Sequence, residues 1–500
     1  MASVRPGEAQ EYARAGSGVS GLDEVMGGGF PADRLHLVQG APGTGKTTIA
    51  LQFLLEGRRQ GETVLYVTLS ETAEELRAVA ASHGWDLSGV SIHELAPDEQ
   101  SLRPDEQYTI LHPSEVELGE MTWAVLEEVE QTKPRRVVFD SLAELRLLAR
   151  DQLRYRRQIL ALKQFFAGRH CTVLLLDGPN QTGEGLESVA HSVLELTQLS
   201  PVYGPDRRRL RVLKLRGGHY RSGNHDYVIQ TGGLTVFPRL VAAHHETPFF
   251  TGPLPSEVPA LDALLGGGLD RGTSTLLIGP AGVGKSVITT QFVVSAAARG
   301  ERADVYIFDE SVQTYLTRSS SLGLDVASHV ADGRIVLRRL DPAQISPGEF
   351  DHLVTEAVEK RGSRVIVIDS LNGYLNAMAE EQAVLIQLHE LLTYLGQRGV
   401  ATLMTIAQHG LVGENAGPPL DISYLADTVL LLRYFETAGR LCQAISVVKK
   451  RSGQHEHTIR ELTLGPGVRV GEPLHQFQGV LAGSPTYLGP SHALFSGGHG

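Results

Sequence analysis

At 500 residues, 42% hydrophobic, 20% charged and 6% aromatic, the chain has the composition of globular protein with enough apolar content for two separate cores, which excludes a disordered or low-complexity molecule. A net charge of −12 argues against sequence-independent binding to nucleic acid. No apolar run approaches the ~20 residues that cross a bilayer, and the polar start Met1 to Arg14 lacks the regions of a signal peptide, so a soluble cytoplasmic protein with no membrane partner is expected. Cys171 and Cys442 stand in apolar, strand-like surroundings without metal-ligand spacing; they read as small buried side chains, with neither disulfide nor zinc expected.

A buried strand is predicted over Leu35-His-Leu-Val-Gln39. It runs into Gly40-Ala-Pro-Gly-Thr-Gly45-Lys46-Thr47 and then a helix from Thr48 to Gly57. The loop fits G-x-x-x-x-G-K-[ST]: glycines let the backbone curl so that its N–H groups meet phosphate oxygens, and the helix start adds partial positive charge. Gly43, Thr44, Gly45, Lys46, Thr47 and Thr48 are therefore the expected ATP cradle, with Lys46 on the β/γ-phosphates and the Thr47 hydroxyl suited to Mg²⁺. Strands at Thr63–Thr68, Arg136–Asp140 and Thr172–Leu176 alternate with helices around Glu74–Ser82, Ser114–Gln131 and Gln152–Ala167, the pattern of a parallel sheet covered on both faces. Glu71 follows the first of these strands, where a carboxylate would face the γ-phosphate and orient or deprotonate an attacking water or hydroxyl. The competing use of that acidity is a helix start, because Thr72-Ala-Glu-Glu75 is a capping box. Asp140 closes an apolar strand and is a candidate Mg²⁺ ligand with Thr47, a helix N-cap being the alternative. Shorter strands at Ser192–Leu196, Arg209–Leu215, Tyr227–Gln230 and Leu234–Phe237 suggest hairpins appended to one edge. Alternation puts Lys214 and Arg216 on one strand face, either as cations reaching a neighbouring subunit's γ-phosphate or as a solvated face.

His244 to Pro259 carries four prolines and no periodicity, so a linker over 244–258 is expected between an N-terminal domain, 1–243, and a C-terminal domain, 259–486. The second domain repeats the first: Lys46 recurs as Lys285 and Gly27-Gly-Gly29 as Gly266-Gly-Gly268, with the same offset (285 − 46 = 266 − 27 = 239). Its loop supplies Gly282, Val283, Gly284, Lys285, Ser286 and Val287 as a second ATP cradle, between a strand at Ser274–Ile278 and a helix from Val287 to Arg299. Further strands are expected at Asp304–Phe308, Arg364–Asp369, Ala401–Ile406, Thr428–Leu432 and Cys442–Lys449. Asp309 and Glu310 align with Ser70 and Glu71 as candidate catalytic carboxylates, Ser286 and Asp369 are the matching Mg²⁺ ligands, and Lys449 with Arg451 repeats the basic pair. The fold expected is α/β: two tandem P-loop NTPase domains, each a mostly parallel sheet flanked by helices. The tail, 487–500, is expected to be mobile.

These residues together resemble a KaiC-type ATPase, a double-domain member of the RecA-like P-loop class. The resemblance rests on Gly-Val-Ser-Gly21-Leu-Asp-Glu-Val-Met-Gly-Gly-Gly29, the paired loops and acidic strand ends, Asp-Ser-Leu after both Asp140 and Asp369 strands, the two Lys-x-Arg pairs, and Gly471-Glu-Pro-Leu with Gly479-Val-Leu-Ala-Gly483-Ser-Pro. It implies a homohexamer of two stacked rings with ATP at subunit interfaces, Lys214 and Arg216 or Lys449 and Arg451 acting in trans, and slow ATP hydrolysis. In clock members it also implies serine/threonine autophosphorylation in the C-terminal ring. The chain departs from clock members at Ser70-Glu71 and Asp309-Glu310, where they pair two glutamates. In the phosphorylation segment, Asp421-Ile-Ser423-Tyr424, Ser423 is the candidate phosphoacceptor and Tyr424 takes the place of threonine. The resemblance therefore points to a KaiC-like ATPase outside a full circadian oscillator. The alternatives are an ATP-gated scaffold that recruits a signalling partner and a recombinase-like DNA motor, for which Arg207-Arg-Arg-Leu-Arg211 is the only strong basic cluster.

Overall fold

Consecutive apolar residues decide the architecture, because a strand alternates its side chains and these strands are apolar on both faces. The computed structural model describes residues 13–95, 113–149, 151–179, 186–201, 203–244, 247–376, 381–408, 422–437, 439–481 and 485–488. The start up to residue 12, Asp421, Gly483 and the tail beyond Leu488 lie outside the described residues. The chain divides after Arg239 into two compact units.

In the first unit a nine-stranded sheet is built from β1 (Leu35–Gly40), β2 (Val64–Thr68), β3 (Ser91–Glu94), β4 (Arg136–Asp140), β5 (Thr172–Asp177), β6 (Ser192–Leu199), β7 (Arg207–Leu215), β8 (Asn224–Gln230) and β9 (Gly233–Phe237). Its order is β9-β8-β7-β6-β1-β5-β4-β2-β3. From β6 to β3 every pair is parallel, and β7, β8 and β9 add an antiparallel meander at one edge. Val38, Tyr66, Val138 and Leu174 face one core with α1 (Lys46–Arg59) and α2 (Ala73–Ser82). Their neighbours Leu37, Leu65, Val137 and Val173 face another, under the helices Pro113–Thr132, Leu142–Ala149 and Gln152–Ala167.

The second unit repeats this order strand for strand. Its nine strands are β10 (Ser274–Gly279), β11 (Arg302–Ile307), β12 (Ile335–Arg339), β13 (Ser363–Asp369), β14 (Ala401–Ala407), β15 (Thr428–Thr437), β16 (Arg440–Lys450), β17 (Arg460–Gly465) and β18 (Gly467–Pro473). Read from the meander edge, the sequence is β18-β17-β16-β15-β10-β14-β13-β11-β12. The helix Lys285–Ala298, α3, and the helix Val312–Ser321, α4, take the places of α1 and α2. Within the stretch expected as a linker, Pro253–Leu254 forms a short strand against Leu269–Asp270, and Leu254 is fully buried in the second unit's core. Cys171 is buried, while Cys442 is half-buried.

Within the two nine-stranded sheets, four strands were not expected: β3 and β12 at one edge of each sheet, and β17 and β18 at the other edge of the second. Few of their residues are buried, so they carry no continuous apolar run.

Arg136 is 1% exposed at the start of β4. It pairs with Glu62, donates to the carbonyls of Gly16 at 2.6 Å and Phe53 at 2.9 Å, and lies over the Phe53 ring. Removing this one guanidinium takes a charged donor from the Gly16 carbonyl and the counter-charge from Glu62, and leaves a cavity against Phe53. Arg136→Ala is expected to destabilise the first unit by about 3 kcal/mol. The fluorescence of Trp85 and Trp123, the only two tryptophans and both in that unit, reports the shift in urea midpoint.

Candidate functional site

Each phosphate loop sits where a sheet strand meets a helix, at the carboxyl edge of a central parallel strand. The residues before the helices, Gly45 at φ 89° and Gly284 at φ 106°, are left-handed, which a side chain resists. A Cβ on Gly45 would lie 2.6 Å from Ile229 Cδ1, and one on Gly284 2.6 Å from Leu464 Cδ1. Neither helix has a side-chain N-cap, so its first N–H groups are left for an external acceptor such as a phosphate. Tyr227 donates to the Thr44 carbonyl at 2.6 Å and Tyr434 to the Ala281 carbonyl at 3.4 Å, which brace the loops.

The loop lysines fold back onto their own loops. Lys46 Nζ donates to the carbonyls of Gly40 at 2.7 Å and Ala41 at 3.1 Å; Lys285 Nζ donates to those of Gly279 and Pro280, each at 2.8 Å. Burial lowers the pKa of Lys46 against the opposing pull of Asp140 and Asp177. Burial likewise brings Lys285 to about 8, with Asp369 and Asp309 opposing.

Asp140 and Asp369 end β4 and β13, in register with the strands beside them. Asp140 Oδ2 accepts from the Thr47 hydroxyl at 3.1 Å and from the buried Tyr66 phenol. Asp369 Oδ1 accepts from Thr405, while its Oδ2 is buried with no hydrogen-bond partner. A helix-start hydroxyl, a strand-end carboxylate and an orphaned buried oxygen suit Mg²⁺, which takes few protein ligands and fills its shell with water and phosphate oxygens.

The acidic strand ends differ between the units. The capping box is made by Thr72 and Glu75, which leaves the Glu71 carboxylate outside it. Glu71 Oε2 is buried and unpartnered, and burial raises its pKa, with the charges of Asp140 and Glu75 adding to the effect. Glu310 is instead ion-paired: Arg318 Nη1 donates to its two oxygens at 2.6 and 2.7 Å. Asp309 accepts from the Ser370 hydroxyl.

The two basic pairs hold backbone rather than standing free. Lys214 donates to the carbonyls of Glu187 and Ala190, and Arg216 to that of Ser188 at 2.7 Å. Lys449 donates to the carbonyls of Ser423 at 2.8 Å and Ala426 at 2.7 Å, and Arg451 to that of Tyr424 at 3.0 Å. Ser423, the candidate acceptor, is half-buried on this turn, and Tyr424 beside it is exposed.

Sequence reasoning missed Tyr66, Arg318 and Asp177. Asp177 ends β5 as Asp140 ends β4, which was its available signal; it pairs with Arg146, and its charge acts on Lys46.

Fold and site together define a tandem phosphate-loop ATPase. The family model described as "ATPase: KaiC" matches residues 15–241 and again 254–474. A circadian clock oscillator protein KaiC of Picosynechococcus is 30% identical over 486 residues, 94% of this chain and 92% of its own. The circadian clock protein KaiC3 of Synechocystis is 26% identical over 487 residues, 95% of each chain. The oscillator protein KaiC of Synechococcus elongatus is 28% identical over 502 residues, 96% of this chain and 93% of its own. The chain belongs to the KaiC ATPase family. Among the described residues no helix is long and apolar enough to cross a membrane.

Gly45→Ala and Gly284→Ala each force a side chain into a left-handed position, at a cost of about 1–2 kcal/mol per residue before any clash. Each is expected to weaken a fluorescent ATP analogue about tenfold or more at its own loop, leaving the other binding phase unchanged.

Proposed function

We propose that the protein is a cytoplasmic Mg²⁺-dependent ATPase that assembles as a homohexameric double ring, with one ATP site in each unit completed by a neighbouring subunit. The observation that carries this reading is the recurrence, on two sheets of identical order, of the same group: an uncapped helix start with its lysine, a strand-end aspartate and a glutamate after the next strand. Thr47 with Asp140, and Ser286 with Asp369, would hold Mg²⁺, which would supply positive charge to the phosphate oxygens.

Glu71 and Glu310 orient a water and take its proton as its oxygen attacks the γ-phosphorus. The bond from that phosphorus to the β-bridging oxygen breaks, leaving ADP and inorganic phosphate. Lys214 with Arg216, and Lys449 with Arg451, act in trans on the γ-phosphate of the adjoining subunit, and Asp309 supports Glu310. The full-length likeness to proteins named for the circadian clock supports a regulatory role, with conformation as output and an unidentified signalling partner. A DNA-acting motor is disfavoured: Arg211 pairs with Glu195 at 2.8 Å and Arg209 with Asp226 at 3.5 Å, so the basic cluster is largely neutralised within the unit.

A second reading, serine autokinase activity in the C-terminal unit, is favoured by one feature. Ser423 lies on the turn that Lys449 and Arg451 hold from the end of β16, so a hydroxyl acceptor and two cations suited to a γ-phosphate meet at one turn.

With Mg-ATP, phosphate release is expected to fall about 10²–10⁴-fold at the altered site in Glu71→Gln and in Glu310→Gln, and in the doubly substituted chain at both, with nucleotide binding retained. Chelating Mg²⁺ is expected to stop turnover. Peptide mass spectrometry is expected to find covalent phosphate on Ser423, lost in Glu310→Gln. Phosphate release without any adduct would leave the ATPase and remove the kinase; turnover unchanged in both glutamine variants would remove the assigned bases.

A further inference from the structure

The offset that relates the two units also exposes where they disagree. Positions 51, 76 and 79 on α1 and α2 are Leu51, Leu76 and Val79, packed in the first unit's core. Adding 239 gives Thr290, Tyr315 and Arg318 on α3 and α4. Three apolar neighbours in one unit are thus three polar neighbours in the other, on the same helices and behind the same acidic strand end.

In the second unit these side chains form a connected path. The phosphate-loop residue Ser286 accepts through its carbonyl from the Thr290 hydroxyl at 2.6 Å. Thr290 Oγ1 and Tyr315 Oη are 2.7 Å apart, with both groups buried. The Arg318 guanidinium lies 4.9 Å from the centre of the Tyr315 ring, in cation–π geometry. Arg318 then donates through Nη1 to both oxygens of Glu310 at 2.6 and 2.7 Å, with the pair mostly shielded, at 28% and 20% exposure. A carboxylate held by one charged donor at both oxygens has little freedom to rotate. At position 79 the first unit offers a valine, so no guanidinium from the equivalent position reaches Glu71. The buried phenol there is Tyr66, which comes from the strand and donates to Asp140; the second unit has Val305 at that place (66 + 239 = 305).

We propose that Arg318 is a positioning residue of the second site: braced by Tyr315 and Thr290 against the phosphate-loop helix, it fixes the Glu310 carboxylate for catalysis, a device without a counterpart at Val79 of the first unit. This rests on the reading of Glu310 as the catalytic carboxylate. Arg318 acts through Glu310, so its contribution disappears when Glu310 can no longer accept a proton.

The test is a double-mutant cycle in the full-length chain carrying Glu71→Gln, so that the second site supplies the turnover. Single-turnover phosphate release and the affinity for a fluorescent ATP analogue are measured on the same preparations. Arg318→Met is expected to slow release about tenfold or more with affinity changed less than about twofold, and Arg318→Lys to recover part of the rate. In the Glu310→Gln background, Arg318→Met is expected to change the rate by less than about twofold.

Given that Glu310→Gln loses activity, an unchanged rate in Arg318→Met, or effects that multiply in the double variant, would overturn the inference alone. Matching losses of rate and affinity in Arg318→Met would also overturn it, because they mark a structural role. Full activity in Glu310→Gln would instead overturn the parent reading, and this inference with it.

Discussion

The first turn of an α-helix carries backbone N–H groups with no partner inside the helix, and the rest of each unit is arranged around leaving them that way. Most helices answer this constraint with a side chain, as Thr72 and Ser311 do at the starts of α2 and α4. The phosphate-loop helices α1 and α3 are preceded by left-handed glycines with no side-chain cap. Unsatisfied donors at a helix start gain from an anion, and here a lysine folds over the same loop, half-buried at Lys46 and buried at Lys285.

The sheet delivers everything else to that point. Because parallel strands must be covered on both faces, their side chains are mostly apolar along the length, and the candidate carboxylates stand at the ends. Asp140, Asp177 and Asp369 each follow an unbroken buried run and sit at its carboxyl end. The same constraint explains how two units with one plan hold their acidic groups differently. Substitutions in the layer between the sheet and the loop helix leave the strand order intact while changing what touches the carboxylates: Tyr66 beside Asp140 in one unit, Tyr315 and Arg318 behind Glu310 in the other.

Much of this was legible in the chain. The phosphate loops announce themselves by spacing, the sheet cores by apolar runs, and the duplication by an offset of 239 at the loops and acidic strand ends, which becomes 229 at the strand-end aspartates and 235 at the basic pairs. The edge strands β3 and β12 were not legible because half-exposed strands carry no periodic signal, and the same holds for the hairpin of β17 and β18. For the basic pairs, alternation groups Lys214 with Arg216 and Lys449 with Arg451, and the members of each pair donate to carbonyls of one turn. It could not reveal that their partners are carbonyls more than twenty positions earlier, which only the closing of β7 on β6 and β16 on β15 brings near. Arg318 escaped for a related reason: its partner lies in a loop eight residues back, outside the spacing by which helix-face pairs are recognised.

The central claim is that both loops are working ATP cradles of one design. The most direct measurement is an experimentally determined structure of the full chain with Mg²⁺ and a slowly hydrolysed ATP analogue. Two nucleotides per chain are expected, their phosphates on the N–H groups at the starts of α1 and α3. Lys46 and Lys285 are expected to have swung from their loop carbonyls to the phosphates, with a cation between hydroxyl and aspartate at each site. Nucleotide at one loop only, or phosphates bound away from the helix starts, would contradict it.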